Sequence, residues 1–87
     1  MWLYPNPNSG QFQIRFYTNL QALGFLRHVI MYNEAGQKVF DEVYPVTGPY
    51  SSMNVDARRL PSGVYMIQLA DAFKTQILAT GRVVIVR

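Results

Sequence analysis

The sequence contains no cysteine. This absence excludes disulfides, thiolate nucleophiles, iron–sulfur clusters and zinc ribbons, and it means that redox chemistry says nothing about the cellular compartment. Charged residues are also scarce, at 15% of the 87 residues, whereas hydrophobic residues make up 49%. Disordered chains have the opposite balance. We therefore expect a chain that folds by packing alone, as one domain over residues 1–87.

Long apolar runs are missing as well. No stretch approaches the roughly 20 residues that span a bilayer, and Met1 to Pro5 has neither the basic nor the apolar region of a signal peptide. We therefore expect no membrane insertion and no signal peptide within this sequence. The net charge of +3 is distributed along the chain, and only Arg58 and Arg59 are adjacent basic residues. A nucleic-acid-binding surface needs a basic cluster or stripe, so we expect no nucleic-acid partner.

The residues that are plentiful favour β-structure. Nine Val, five Ile, four Thr and twelve aromatic residues together make up 30 of the 87 positions, whereas the helix formers Lys and Glu occur twice each. Apolar runs recur every 8–12 residues or so between turn-forming Gly, Pro and Asn. This spacing predicts an all-β domain, either a sandwich or a barrel, and we favour the sandwich.

Alternation of apolar and polar residues predicts the individual strands. Gln11 to Tyr17 is the clearest, because Phe12, Ile14 and Phe16 fall on one face. Further strands are predicted over residues 25–32, 38–44, 50–55, 64–70 and 82–87, with a hairpin at 33–37, an apolar stub at 2–4, a loop or single turn at 18–24 and no clear pattern over 73–80. Apart from Arg27 and His28, residues 25–32 are apolar on both faces. This pattern indicates either a central strand covered on both sides or a strand whose outer face meets a partner.

The residues available for catalysis are few. Asp41 and Glu42 are adjacent, so in a strand they point to opposite faces and cannot act together on one substrate. His28 lies beside Arg27 in an apolar strand, and without cysteine or a second histidine a metal there would need carboxylates as its other ligands. No serine lies in a Gly-x-Ser-x-Gly turn, and the glycines form no phosphate-binding loop. We therefore predict no catalytic residue, no metal site and no cofactor.

The aromatic residues allow two interpretations. Six of them combine an apolar ring with a polar tip, namely Trp2, Tyr4, Tyr17, Tyr32, Tyr44 and Tyr50. Such side chains can form a surface on which sugars stack, or they can fill the core and rim of a small domain. Sequence alone leaves both interpretations open.

The turns carry a more specific signal. Four blocks follow one another along the chain: LYPNPNSGQF at residues 3–12, MYNEAGQKV at 31–39, LPSGVYMI at 60–67 and RVVIVR at 82–87. In this order and spacing they resemble the type A C-terminal sorting domain of the type IX, or Por, secretion system. The resemblance covers essentially the whole chain.

This resemblance implies both a fold and a function. The fold is an immunoglobulin-like β-sandwich of about seven strands, mostly antiparallel. The domain is not an enzyme but a C-terminal label on a cargo protein of a Gram-negative bacterium. The type IX machinery at the outer membrane recognises the label after Sec-dependent export to the periplasm. A cell-surface sortase then typically removes it, and the cargo, secreted or at the cell surface, is anchored to lipopolysaccharide. We expect a cargo domain and a Sec signal to precede residue 1.

Two groups of residues are assigned to this function. The first sets the turns: Pro5, Asn6, Pro7, Gly10, Asn33, Gly36, Leu60, Pro61, Ser62, Gly63 and Tyr65. The second is a candidate recognition group in the last strand: Arg82, Val84, Val86 and Arg87. Val83 and Ile85 can face the core, which leaves Val84 and Val86 to be covered by something else. Either a secretion partner docks there, or this is a central strand buried on both faces.

Four further possibilities remain open. The main alternative function is a carbohydrate- or protein-binding sandwich attached to an extracellular enzyme, since fold does not fix function. A third possible function, besides the sorting signal and the binding module, is a structural spacer between domains. Arg58 and Arg59 lie in a loop that either is solvated or meets an acidic partner. An unprotected edge strand would also permit dimerisation.

Overall fold

Seven strands form two antiparallel sheets in the computed structural model, which describes residues 1–17, 26–45, 50–71 and 76–86. The strands are β1 (Trp2–Tyr4), β2 (Gln11–Tyr17), β3 (Leu26–Tyr32), β4 (Lys38–Pro45), β5 (Tyr50–Asp56), β6 (Gly63–Ala70) and β7 (Ile77–Ile85). The three-stranded sheet has the order β1-β2-β5, and the four-stranded sheet has the order β4-β3-β6-β7. The predicted all-β sandwich of about seven antiparallel strands is confirmed.

The core lies between the two sheets and is supplied by alternate residues of each strand. The three-stranded sheet contributes Phe12, Ile14, Phe16, Met53 and Val55, and the four-stranded sheet contributes Val29, Met31, Phe40, Tyr65, Ile67, Leu69, Val83 and Ile85. Several of these side chains are completely buried, including Ile14, Met31 and Ile67. The two inner faces therefore fill one common apolar layer.

The two outer faces differ in chemistry. The outward side chains of the three-stranded sheet are Trp2, Tyr4, Gln11, Gln13, Arg15, Tyr17, Tyr50, Ser52, Asn54 and Asp56. These are aromatic or polar, and no aliphatic side chain is among them. Aliphatic side chains do lie on the outer face of the four-stranded sheet: Ile30, Val43, Val64, Met66 and Val84. This contrast bears on what each face can bind.

Most of the predicted strands are observed. β2 buries the three residues expected, and the β3–β4 hairpin and β5 lie within one or two residues of the predicted bounds. β3 is central, between β4 and β6. The apolar stub at residues 2–4 is itself a strand, because it pairs with β2 in the register Leu3 to Ile14. The predicted turn over residues 18–24 lies outside the described residues.

The last strand differs from its prediction. β7 begins at Ile77, five residues before the predicted start at Arg82, and it ends at Ile85. The early part was missed because Ile77 and Leu78 are both exposed, so no apolar face marks it. Of the two alternatives left open for this strand, the central position is excluded, since β7 pairs only with β6 among the named strands and lies at the edge of its sheet.

Candidate functional site

The four sequence blocks meet at one end of the sandwich, which we call the motif end and define by residues 5–10, 33–37, 60–65 and 82–86. Gly63, at the start of β6, lies opposite Ile85, at the end of β7. The residue pair Tyr32 and Met66 brings the turn that follows β3 to the same end. An isolated parallel bridge joins Asn8 to Ile85. Blocks far apart in sequence thus form one continuous surface.

Asn6 binds the edge of β7 through its side chain. Its Oδ1 accepts a hydrogen bond from the backbone amide of Val84 at 2.9 Å. Its Nδ2 donates to the backbone carbonyl of Arg82, also at 2.9 Å. A carboxamide carries a donor and an acceptor side by side, so it can replace the backbone groups of a neighbouring strand. Pro5 and Pro7, which follow cis peptide bonds, flank this asparagine.

Asn8 continues the same pairing with its backbone. Its amide donates to the Val84 carbonyl at 3.0 Å, and its carbonyl accepts from the Val86 amide at 2.7 Å. Its side chain holds the turn itself, since Nδ2 donates to the Pro5 carbonyl and Oδ1 accepts from the Gly10 amide. We call residues 6–8 the edge clamp, because they occupy the outward hydrogen-bonding groups of the backbone from Arg82 to Val86, at the end of β7 and just after it.

Gly10 connects the edge clamp to the loop after β5. Its φ of 110° lies in a region that favours glycine. A Cβ at this position would lie 2.8 Å from the Cα of Arg58, and the Gly10 carbonyl accepts from the Ala57 amide at 2.7 Å. Both the positive φ and the close approach of the Arg58 backbone therefore require glycine at this position.

The hairpin turn at residues 33–37 is held by one asparagine. Asn33 Oδ1 accepts from the amides of Ala35 and Gln37, at 3.0 and 2.9 Å. The Asn33 carbonyl accepts from the amide of Gly36, whose φ is 81°. Side-chain bonds of this kind favour a turn over continued strand. Asn33 and Gly36 therefore shape this turn.

The loop at residues 60–65 is closed by Tyr65. Its hydroxyl donates to the carbonyl of Pro61 at 2.6 Å, as in the tyrosine corner of immunoglobulin-like sandwiches. Leu60 is buried, and its amide donates to the Ala57 carbonyl. Pro61 and Ser62 are exposed. A groove of about 280 Å³ lies between this loop and the 33–37 turn.

The candidate recognition residues differ in exposure. Arg82 and Val86 are exposed, whereas Val84 is half-buried on the outer face beside Val64. Arg87 lies outside the described residues. Because the edge clamp occupies their backbone groups, addition of a further strand along Arg82 to Val86 would require the clamp to leave. The side chains, rather than the strand edge, are the accessible part of this group.

The two adjacent arginines have different surroundings. Arg58 forms an ion pair with Asp56, with Nη2 2.9 Å from Oδ2. Hydrogen bonds from Arg58 hold the pKa of Asp56 below its ordinary value, and the same contact raises the pKa of Arg58. The guanidinium carbon of Arg59 lies 5.5 Å from the centre of the Phe40 ring. The charge of Arg58 is thus balanced by Asp56, whereas Arg59 keeps its charge and packs on the Phe40 ring.

The remaining titratable groups form no larger cluster among the described residues. His28 Nδ1 lies 3.1 Å from Asp41 Oδ1, and Lys38 reaches the same carboxylate at 3.4 Å. Within the described ranges no group of three metal-ligating side chains is present. Burial raises the pKa of Tyr44, and the carboxylates of Glu42 and Asp56 add to the rise, so this phenol keeps its proton at neutral pH. That part of the chain also contains no helix able to cross a membrane.

Comparison with known protein families decides the identity. The family model described as the secretion system C-terminal sorting domain, the Por secretion tail, matches residues 2–85. The chain belongs to this family. A comparison with curated proteins gave no match. As a Por secretion tail, the domain is a C-terminal sorting signal of the type IX secretion system, and its interactions are with that machinery and with an N-terminal cargo region.

Membership also sets the expected location. A protein that carries a Por secretion tail is secreted or held at the cell surface. Domains of this family are in general not enzymes. The motif blocks that pointed to the family are the residues that build the motif end.

Sequence reasoning missed the edge clamp. The Pro-Asn-Pro-Asn stretch was recognised as a turn, but its pairing with β7 joins residues 78 positions apart. No local pattern reports such a contact. The one signal available was the repetition of asparagine between prolines, since Asn supplies both a donor and an acceptor.

Proposed function

We propose that residues 1–87 form a single C-terminal sorting domain whose motif end is read by the type IX machinery. Arg82, Val84, Val86 and Arg87 are the proposed contact residues on the machinery side. The single observation that supports this assignment is the convergence of all four sequence blocks at one end of the sandwich. A signal that must be recognised after folding needs such a surface, because its parts are adjacent only in the folded chain.

The entry point of the chain supports the same assignment. Met1 Cε lies 2.9 Å from the position that a Cβ on Gly81 would occupy. Gly81 is four residues before Ile85, or about 13 Å along the strand at 3.3 Å per residue. A cargo joined before Met1 would therefore approach the middle of β7. The motif end would stay accessible to a partner.

The later steps of the proposal concern the cargo. The cargo reaches the periplasm through a Sec signal, crosses the outer membrane, and loses this domain to a cell-surface sortase near the cargo junction. The released cargo is then joined to lipopolysaccharide. The domain itself contributes no catalytic group to these steps. Its role is to present a rigid surface, which the clamped and hydrogen-bonded turns of the motif end provide.

The experiment is export of a fluorescent reporter. The reporter carries an N-terminal Sec signal and this 87-residue domain at its C-terminus, and it is produced in hosts with and without a working type IX system. We expect extracellular reporter in the competent host alone, shortened by about the 10.0 kDa of the domain. Reaction of the released reporter with antibody to the host lipopolysaccharide tests the anchoring step.

A second fusion separates a sorting signal from a spacer. Here the domain is placed between two reporter halves, so that it no longer lies at the C-terminus. A sorting signal should fail in this position, whereas a spacer should be indifferent to it. If the reporter with the domain at its C-terminus is folded but stays in the periplasm of the competent host, the proposed function is wrong.

A further inference from the structure

The outer face of the three-stranded sheet has an unusual composition. We call it the aromatic–polar face; it consists of the ten outward side chains of β1, β2 and β5 given above. Four are aromatic and six are polar or charged. The aromatic rings are well exposed, from 61% for Tyr17 to 79% for Tyr50. Core packing does not account for rings in this position, since the core lies on the opposite side of the sheet.

The strand register orders these side chains into rows. Trp2 lies opposite Arg15, which lies opposite Ser52. In the next row Tyr4 lies opposite Gln13, which lies opposite Asn54. Directly opposite residues have Cβ atoms about 4.5–5.5 Å apart. In the first row the Trp2 ring is therefore next to the guanidinium of Arg15. In the second row the Tyr4 ring is next to the amide of Gln13, which can both donate and accept hydrogen bonds.

Two adjoining grooves run across these rows. One, of about 590 Å³, is lined by Trp2, Tyr4, Arg15, Tyr50 and Ser52 among others. The other, of about 490 Å³, is lined by Tyr4, Gln13, Arg15, Asn54 and Asp56 among others. Tyr4 and Arg15 line both grooves, so the two are adjacent. Their sizes are in the range of pockets that hold small ligands.

The chemistry of the face selects among classes of ligand. A pyranose ring presents an apolar C–H face to an aromatic ring and hydroxyl groups around its edge. Planar amides suit those hydroxyls because they donate and accept at once. A membrane-binding surface would carry aliphatic side chains beside the aromatics, and this face has none among its outward residues. The aliphatic side chains lie on the other sheet, which is the sheet that bears the proposed recognition residues.

The charges on the face also favour a saccharide as the ligand. The carboxylate of Asp56, which lines the second groove, is paired with Arg58. Arg15 bonds Gln13 Oε1 through Nε and Nη2, at 3.4 and 3.2 Å, which holds the two side chains against each other along β2. The face is thus nearly neutral, with one guanidinium in the middle. This suits a neutral saccharide, or an acidic one that places a carboxylate beside Arg15.

We propose that the aromatic–polar face binds a pyranose oligosaccharide, with Trp2, Tyr4 and Tyr50 stacking on sugar rings and Gln13, Arg15 and Asn54 bonding their hydroxyls. The proposal does not depend on the sorting function. The two sets of residues lie on opposite sheets, so either activity can be lost alone. A domain with both would bring its cargo to a glycan while it still carries the sorting label.

Trp2 is the only tryptophan of the chain, so its fluorescence reports directly on this face. The 87-residue protein is titrated with cellohexaose, xylohexaose, chitohexaose and hexagalacturonate. The first three are neutral and the last is acidic, which tests the role of Arg15. We expect saturable quenching or a blue shift with at least one of them. Tyr4→Ala and Tyr50→Ala should each weaken binding about tenfold while leaving Trp2 in place.

The matched control is Met66→Ala. Met66 is also exposed, but on the outer face of the other sheet, so its loss should leave the titration unchanged. Absence of any saturable signal with all four oligosaccharides at millimolar concentration would overturn the proposal. So would equal binding by the wild type and the two tyrosine variants. The proposal would also be wrong if the Trp2 fluorescence changed with protein concentration and sedimentation gave a doubled mass. A second copy of the chain would then cover the face.

Discussion

Asn6 and Val84 lie 78 positions apart in sequence, yet the side chain of Asn6 holds the backbone amide of Val84 at 2.9 Å. With its second bond to the Arg82 carbonyl, this one carboxamide acts as a short piece of neighbouring strand. Open edges invite pairing with other chains, and natural proteins usually block them. The edge clamp blocks β7 with residues from the first sequence block and so joins the two ends of the chain.

Replacing Asn6 by Ala should destabilise the domain and expose the edge. Two hydrogen bonds are lost, each worth about 1 kcal/mol, so we expect urea unfolding to lose about 2 kcal/mol. The matched control is Asn54→Ala, an exposed asparagine on a strand, which should cost much less. Sedimentation should show more dimer for Asn6→Ala than for the wild type. Equal stability of the two variants would contradict the role given to the clamp.

The two glycines of positive φ should respond differently to alanine. Gly10→Ala combines a strained φ of 110° with a Cβ only 2.8 Å from Arg58 Cα, so we expect a loss of about 2–4 kcal/mol. In Gly36→Ala the added Cβ has no atom within 4 Å, so the only cost is that of alanine in the left-handed conformation, about 1 kcal/mol. Paired urea or thermal unfolding measures both. Similar losses would show that the contact with Arg58 relaxes freely.

Local patterns were sufficient to predict the fold, because one-sided burial leaves a period of two in the sequence. Phe12, Ile14 and Phe16 are the clearest case, and all three are buried. Where burial is not one-sided the pattern fails. Ile77 and Leu78 are both exposed, so the first half of β7 could not be recognised.

The turn-forming residues of the motif end are recognisable in the sequence, but their arrangement in space is not. Turn chemistry points to Asn33 and Gly36, whose bonds reach at most four positions along the chain. Tyr65 was selected through the resemblance of its sequence block. The edge clamp and the convergence of the blocks depend on contacts between opposite ends of the chain. The aromatic–polar face was foreseen as a possibility, and four of its six candidate rings lie there. Tyr44 instead packs against the core, and Tyr32 belongs to the other sheet.

Removing the hydroxyl of Tyr65 should loosen the 60–65 loop. The ring is buried, and its bond to the Pro61 carbonyl is short at 2.6 Å. Tyr65→Phe keeps the packing and loses this bond, so we expect a cost of about 1–2 kcal/mol in urea unfolding. Tyr17→Phe is the control, since Tyr17 is exposed. No difference between the two variants would mean that the Pro61 carbonyl is equally well solvated without its partner.

The ion pair at the end of β5 should be visible in a pH titration. Hydrogen bonds from Arg58 keep the pKa of Asp56 below the value of about 3.9 for an unfolded chain. The stability that this group contributes is therefore complete above about pH 3.9 and is lost as the pH falls through its folded pKa. NMR titration of the Asp56 carboxyl carbon should give a higher pKa in Arg58→Met. Arg59→Met should change it less, and the reverse order would contradict this assignment.

The proposed recognition group can be tested without unfolding the domain. Val86 is 57% exposed and Arg82 is exposed, so Val86→Ser and Arg82→Glu should leave stability within about 0.5 kcal/mol of wild type. In the reporter fusion we expect each to reduce export several-fold in the competent host. Val43→Ser is the matched control, because Val43 is 47% exposed on the same sheet but pairs with His28, away from the motif end. Normal export of a folded Val86→Ser, Arg82→Glu double variant would remove these residues from the contact surface and direct attention to the exposed Pro61 and Ser62.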